Sequence, residues 1–170
     1  YEGHRFVMWG GALSGSDNPT SLTVTQNETI SAEFAAVTYT LTIRSDLENG
    51  SIELQPSSGP YLAGTLVTLE AVPKTGFAFV GWTDDAASLS GNPTQLEMNA
   101  DKTIGATFAK LHSVTISPPP TDGSIEVEPA NGPYPAGTQI KLTAKPGDGF
   151  ELEQWSVDVN GSANPVGYEI

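Results

Sequence analysis

Three tryptophans recur at one position of a repeating pattern, and the flat face of a tryptophan could serve as a platform for stacking on sugars. Trp9, Trp82 and Trp155 each lie 73 residues from the next. The alternative is that each tryptophan anchors the hydrophobic core of a small module, because a large aromatic side chain fills a small core efficiently. The neighbouring residues Phe79 and Leu152 are expected to point inward, which favours the core. We therefore predict a structural role for the tryptophans.

Two adjacent carboxylates, Asp84 and Asp85, offer the hard oxygen ligands that calcium prefers. Ser88, Ser90 and Asn92 follow in the same predicted loop and could add further oxygen atoms. The equivalent loops of the other copies carry no such carboxylate pair, so a calcium site is not a general feature of the repeat. Solvated loop acids are the simpler interpretation, and we predict that the chain uses no cofactor.

No residue pattern points to catalysis. His4 and His112 are the two histidines of the chain, and they occupy unrelated positions of the repeat. They do not form a two-histidine metal spacing, and the chain contains no G-x-S-x-G nucleophile motif. No two acids stand out as a glycosidase pair. We predict a protein without catalytic residues.

The charge balance excludes several classes of partner. The chain has 20 acidic and 7 basic residues, a formal net charge of −13, and no cysteine. Nucleic-acid binding requires a basic surface that displaces counterions from phosphates, and docking on anionic membranes requires one too. Disulfides and thiolate metal sites are excluded, and no segment approaches the roughly 20 apolar residues of a membrane span.

The sites considered above belong to a tandem repeat with a period of about 73 residues. Residues 49–52 (Asn-Gly-Ser-Ile) match residues 122–125 (Asp-Gly-Ser-Ile), and residues 59–61 (Gly-Pro-Tyr) match residues 132–134. This period divides the chain into three segments. They are the second half of a first repeat at 1–37, a complete repeat at 38–110, and a third repeat at 111–170 without its last strand.

The composition predicts an all-β fold. Glycine and proline number 18 and 13, and short β-branched segments alternate with Gly, Pro and Asn. Alternating apolar residues predict about six antiparallel strands per repeat, with a turn at Asn49-Gly50 and a bulge near Val80-Gly81. The predicted core includes Trp9, Trp82, Trp155, Phe79, Leu69, Leu142 and Phe108.

The joints between copies are short. About four residues separate Phe34 from Tyr39 and Phe108 from His112, which predicts a semi-rigid, elongated array of small modules that contact their neighbours. The incomplete first and third copies leave unfilled sheet edges, which neighbouring chains could complete by strand addition to form a fibre. The alternative is an arbitrary cut through a longer array.

The motifs of the complete copy resemble those of the divergent internalin-B-type bacterial repeats. They are residues 39–43, 49–52, 56–61, 64–73, 76–82, 92–93 and 101–108. The resemblance implies tandem modules of large exported surface proteins, acting as stalks, spacers or adhesive modules without a catalytic motif. It also implies a β-grasp fold with a helix, whereas this chain contains no helical segment of adequate length.

A structural role outside the cell is therefore the leading hypothesis, with the repeats acting as stalk, spacer or fibre-forming module. The alternative is an adhesin module that binds a glycan or a host protein. An exposed Tyr61 or Tyr134 would then be the expected contact.

Overall fold

The structure, a computed structural model, describes residues 3–117, 120–130 and 132–170. Within these residues there is no helix, so the all-β prediction is confirmed, whereas the helix implied by the β-grasp resemblance is not found. The described chain accordingly offers no helix that is long and apolar enough to cross a membrane. Contacts divide the chain into two compact units, which do not coincide with the repeats.

The described residues form fourteen strands. The first seven are β1 (His4–Gly11), β2 (Ile30–Ala36), β3 (Thr38–Tyr39), β4 (Leu41–Ile43), β5 (Gly50–Gln55), β6 (Tyr61–Leu62) and β7 (Leu66–Pro73). The next seven are β8 (Phe77–Asp84), β9 (Thr94–Glu97), β10 (Lys102–His112), β11 (Gly123–Glu128), β12 (Tyr134–Pro135), β13 (Gln139–Pro146) and β14 (Val166–Glu169).

Unit 1 comprises Tyr1–Leu47, Ile52–Val72 and Gly81–Ala106. It contains the β1–β2 hairpin and most of the antiparallel sheet β5–β7–β9. The register of the hairpin shifts between Phe6 and Met8, a bulge at the position that corresponds to Val80 in the next copy. One pairing corrects the prediction of purely antiparallel modules, because β10 runs parallel to β4.

The core of unit 1 is formed by alternate residues of its strands. Val67, Leu69, Met98 and Ile104 are fully buried, and Trp82 is 6% exposed. Polar side chains alternate with these residues and face outward, since successive side chains of a strand point to opposite faces. Removal of this apolar surface from water stabilises the unit at about 25 cal/mol per Å².

Unit 2 comprises Glu48–Ser51, Pro73–Val80 and Thr107–Ile170. Its antiparallel sheet β11–β13–β14 packs over a core of Tyr134, Ile140, Leu142 and Trp155. The rings of Phe79 and Phe108 meet edge to face in this unit, with centroids 6.3 Å apart.

The conformation and packing of the Asn49-Gly50 turn explain why these two residue types occupy it. Asn49 adopts a positive φ of 66°, which asparagine tolerates better than most residues. Gly50 is required for a different reason, since a Cβ atom there would lie 2.3 Å from Cζ of Phe108. The turn is therefore packed directly under the Phe108 ring.

Each joint between copies is a strand segment that pairs with the following copy. Thr38 and Tyr39 of β3 pair with Leu62 and Tyr61 of β6. In unit 2 the end of β10 repeats this arrangement, because Leu111 pairs with Pro135 and His112 with Tyr134. Val37 and Lys110, the last residues of the first and second copies, accept at their carbonyls from the Ala63 and Ala136 N–H groups, both at 2.9 Å, so the end of each copy is bonded to the next through the backbone.

Candidate functional site

The three tryptophans make the same hydrogen bond. The indole Nε1–H of Trp9 donates to the carbonyl oxygen of Asp17 at 2.9 Å, and Trp82 and Trp155 donate to Gly91 and Ala163 at 2.9 and 2.8 Å. Trp82 and Trp155 are buried, and Trp9 is half-buried against Phe6 with ring centroids 5.0 Å apart. The indole N–H of each tryptophan therefore holds the loop that follows it, and most of the Trp82 and Trp155 ring surface packs within the protein.

Tyr61 and Tyr134 are not exposed, so the expectation that they offer a glycan-binding surface is wrong. Tyr61 is 4% and Tyr134 is 7% exposed. Each hydroxyl donates to a proline carbonyl five residues earlier, Tyr61 to Pro56 and Tyr134 to Pro129, both at 2.9 Å. The tyrosine folds back over the loop that precedes it, because closing that loop both buries the ring and satisfies its hydroxyl. Burial raises the pKa of Tyr61.

The asparagine of the recurring Asn-Pro pair is a structural residue, whereas the sequence suggested only that Asn92 could add an oxygen atom to a calcium site. Asn92 Oδ1 accepts from the Ala71 N–H at 2.8 Å, and Asn92 Nδ2 donates to the Ala71 carbonyl at 2.7 Å. Asn164 makes the same two bonds to Ala144, each at 2.9 Å. Each asparagine side-chain amide thus bonds the strand backbone at Ala71 or Ala144 as the backbone of a neighbouring strand would. Recurrence of the pair was the signal that could have revealed this role.

The two carboxylates considered for calcium have protein partners. Asp84 accepts from the Thr83 hydroxyl at 2.8 Å and forms an ion pair with Arg44 at 3.3 Å. Asp85 Oδ2 accepts from the Thr103 N–H at 2.7 Å, and the Asp85 N–H donates to the Thr103 carbonyl at 3.0 Å. In the part of the chain that the structure describes, no three His, Asp or Glu side chains are grouped as a metal site.

Arg44 also bonds a second carboxylate. Its guanidinium forms a two-pronged hydrogen-bonded ion pair with Asp46. Hydrogen bonding from Arg44, aided by its charge, holds the pKa of Asp46 below its ordinary value. Both groups lie at the surface, so the pair is worth little in stability. It tethers the turn after β4 and carries no reactive group.

The two histidines do not come together with acids or nucleophiles in a shared site. His4 begins β1, whereas His112 ends β10 and pairs through its backbone with Tyr134. Neither histidine lies in a group of three or more possible metal ligands within the described residues. The geometry assigns both to strand ends.

The concave feature that could hold a ligand is a cleft in unit 2. Its volume is about 800 Å³, which lies within the usual range of ligand sites. The floor is the apolar face of β13, and the walls are residues 113–117 and 150–159. Trp155 lines the cleft together with Val114, Ile116 and Leu152. The lining mixes apolar and polar side chains, and its charged residues are Asp122, Lys145, Glu151, Asp158 and Glu169.

Comparison with known proteins agrees with the repeat pattern. No curated protein and no solved structure matches the chain significantly. The model of the divergent InlB B-repeat domain matches three successive segments, residues 1–38, 39–111 and 112–167. Nearly the whole chain is covered, in three copies of one family. The chain therefore belongs to the divergent InlB B-repeat domain family.

Proposed function

We propose that this chain is a non-catalytic structural segment of an extracellular or cell-surface bacterial protein, in which the repeats act as a stalk or spacer. One observation carries the proposal. The tryptophan and tyrosine groups that recur in the copies direct their polar atoms at the backbone of their own module. Residues used in this way hold a fold together and are not presented to a ligand.

The joints support a spacer in particular. A spacer must hold its two ends at a defined distance, and a chain of freely rotating modules cannot do so. Backbone pairing of β3 with β6, and of the end of β10 with β12, ties each joint to the copy that follows. The net charge of −13 is consistent with a well-solvated stalk. The proposal includes neither a cofactor nor a nucleic-acid or membrane partner.

Small-angle X-ray scattering of the chain tests this function. An extended array of small modules gives a long, skewed distance distribution with a cross-section of one module. We expect that distribution at all concentrations at which the chain is monomeric. A compact, near-spherical particle contradicts the spacer proposal, because such a particle separates nothing.

An adhesin module is the second candidate function, and the cleft of unit 2 is the observation that favours it. The cleft has the volume of a ligand site, and Trp155 lies in its lining. Titration with a panel of glycans, followed by tryptophan fluorescence, tests for this function. Saturable binding that is lost in Leu152→Asp and kept in Val80→Asp, a substitution outside the cleft, favours an adhesin.

A further inference from the structure

Tension along the chain enters and leaves the complete repeat through two strands that lie side by side. The chain enters through β3 and β4, and it leaves through β10, which continues into the third copy as far as His112. Strands β4 and β10 pair in parallel, with Leu41 beside Lys102 and Ile43 beside Ile104. The first and third copies flank this repeat in the sequence, so a pull between them reaches both strands.

The parallel direction of this pair determines how a pull acts on its hydrogen bonds. A pull on the start of β4 and the end of β10 draws the two strands past each other along their length, so the bonds between them bear the load together. In an antiparallel hairpin such as β1–β2 the two outer ends, His4 and Ala36, lie side by side, and a pull on them opens the bonds one after another. A single backbone hydrogen bond contributes little net stability in water, so resistance to a pull depends on loading several bonds at once.

Hydrogen bonds along the β4 edge of β10 extend beyond the paired residues themselves. The Thr40 N–H donates to Asp101 Oδ1 at 2.7 Å, and the Thr40 carbonyl accepts from the Lys102 N–H at 2.9 Å. At the other end of the pair, the Arg44 N–H donates to the Ile104 carbonyl at 3.0 Å. The contact between the two strands is therefore closed by hydrogen bonds at both of its ends.

The opposite edge of β10 is held at the same level. The Thr103 N–H donates to Asp85 Oδ2 at 2.7 Å, and the Thr103 carbonyl accepts from the Asp85 N–H at 3.0 Å. Asp85 directly follows β8, which also pairs with β10. The side chain of Ile104 is fully buried, so the inner face of β10 is shielded from water here. This part of β10 therefore cannot slide along β4 without breaking bonds on both of its edges.

A side-chain bridge also crosses β10. Arg44, directly after β4, forms its ion pair with Asp84, the last residue of β8, at 3.3 Å. Gly105 of β10 lies beneath this pair, and a Cβ atom there would lie 3.0 Å from Cδ of Arg44 and 2.4 Å from Oγ1 of Thr83. Glycine thus leaves room for the bridge. An exposed ion pair adds little stability, but this one joins the two strands that flank β10.

We propose that the complete repeat is a load-bearing module, in which the parallel contact between β4 and β10 resists tension along the chain. The inference rests on the proposed stalk function and deepens it, because a spacer that only separates two parts needs no resistance to a pull. The load is a pulling force between neighbouring copies, such as flow past a cell surface exerts on a stalk. The strand that closes the repeat also carries the chain into the next copy, so the bonded pair lies directly on the path of that force.

Pulling on the 170-residue chain in two directions with optical tweezers tests the proposal. The chain contains no cysteine, so an introduced pair of cysteines defines where the DNA handles are attached. Thr38→Cys with Lys110→Cys pulls the β4–β10 pair lengthwise. Thr38→Cys with Ala100→Cys pulls both strands from their starts, so the same bonds open one by one. All three positions are exposed. At equal loading rate, we expect the lengthwise direction to need a force higher by about twofold or more, since forced unfolding follows the unfolding rate along the pulled direction.

The length released identifies the part that unfolds, because an extended chain gains about 3.3–3.6 Å for each residue between the handles. Urea unfolding of the two double-cysteine chains, with their thiols blocked, is the control. Equal free energies of unfolding show that the difference in force reflects direction alone. Equal unfolding forces in the two directions overturn the proposal.

Two substitutions at Arg44 locate the resistance. Arg44→Pro and Arg44→Ser both remove the guanidinium, but serine, which stands at the corresponding position 117, keeps the N–H that bonds the Ile104 carbonyl. We expect Arg44→Pro to lower the lengthwise force clearly more than Arg44→Ser does, and equal forces contradict the assignment to the β4–β10 pair. If the proline variant does not fold, the two directions in the unsubstituted chain still decide. Equal forces together with an extended scattering profile refute load bearing and leave the spacer function intact, whereas a compact particle with strong lengthwise resistance refutes the spacer function alone.

Discussion

Replacement of Trp82 by phenylalanine tests whether this tryptophan is a core residue or a surface on which a ligand stacks. The indole is 6% exposed, and its Nε1–H donates to the Gly91 carbonyl at 2.9 Å. Truncation of a buried tryptophan to alanine costs about 3–5 kcal/mol. Phenylalanine retains about 60% of that packing, so the loss of packing is about 1–2 kcal/mol, and the lost hydrogen bond adds about 1 kcal/mol. We expect Trp82→Phe to lower the free energy of unfolding by about 2–3 kcal/mol.

Urea unfolding followed by circular dichroism measures this loss, since the signal does not depend on the tryptophan removed. Val80→Ala is the matched control on the same strand, because Val80 is 61% exposed. Its substitution should cost less than about 1 kcal/mol. A loss below about 0.5 kcal/mol for Trp82→Phe would refute the assignment of Trp82 to the core.

Three further predictions follow from individual contacts. Tyr61→Phe should cost about 1 kcal/mol of unfolding free energy, because it leaves a loop carbonyl without its donor, whereas Tyr168→Phe at a 37% exposed site should cost almost nothing. Asp46→Asn should remove a small acid-dependent part of stability. The folded-state pKa of Asp46 is lowered, so its contribution is present above the unfolded pKa near 4 and is lost as pH falls through the folded pKa. Calcium should leave the melting temperature unchanged, since Asp84 is already bonded within the protein, and an upward shift contradicts this.

The sequence predicted strands correctly where one buried face makes apolar and polar residues alternate along the strand. Val67 and Ala71 of β7 are buried, and Glu70 between them is exposed, as their alternation in the sequence indicated. Repetition strengthened this inference, because the counterparts in β13 keep apolar character at the same positions. The longer strands of the complete repeat could therefore be predicted from one chain, whereas the two-residue strand β6 was not.

The partners of the strands could not be predicted in the same way. Alternation reports which face of a strand is buried, but it does not report which strand lies beside it. The parallel pairing of β4 with β10 joins residues about sixty positions apart and leaves no local signal. The sequence predicted that Tyr61 folds back over the loop before it, as it does, but the bonds of Asn92 were missed. A side chain that bonds a backbone group 21 residues away resembles any polar loop residue in the sequence.

The third repeat shows that pairing decides secondary structure in this family. Leu41–Ile43 and Val114–Ile116 have the same apolar-threonine-apolar sequence, yet the first segment is a strand and the second is not. The difference is that β10 lies beside Leu41–Ile43, whereas no described strand pairs with Val114–Ile116. Since β-propensity reflects packing against neighbours more than an intrinsic backbone preference, one pattern can adopt both states. Such a segment forms a strand where a neighbouring strand offers it a backbone edge, as β10 does for Leu41–Ile43.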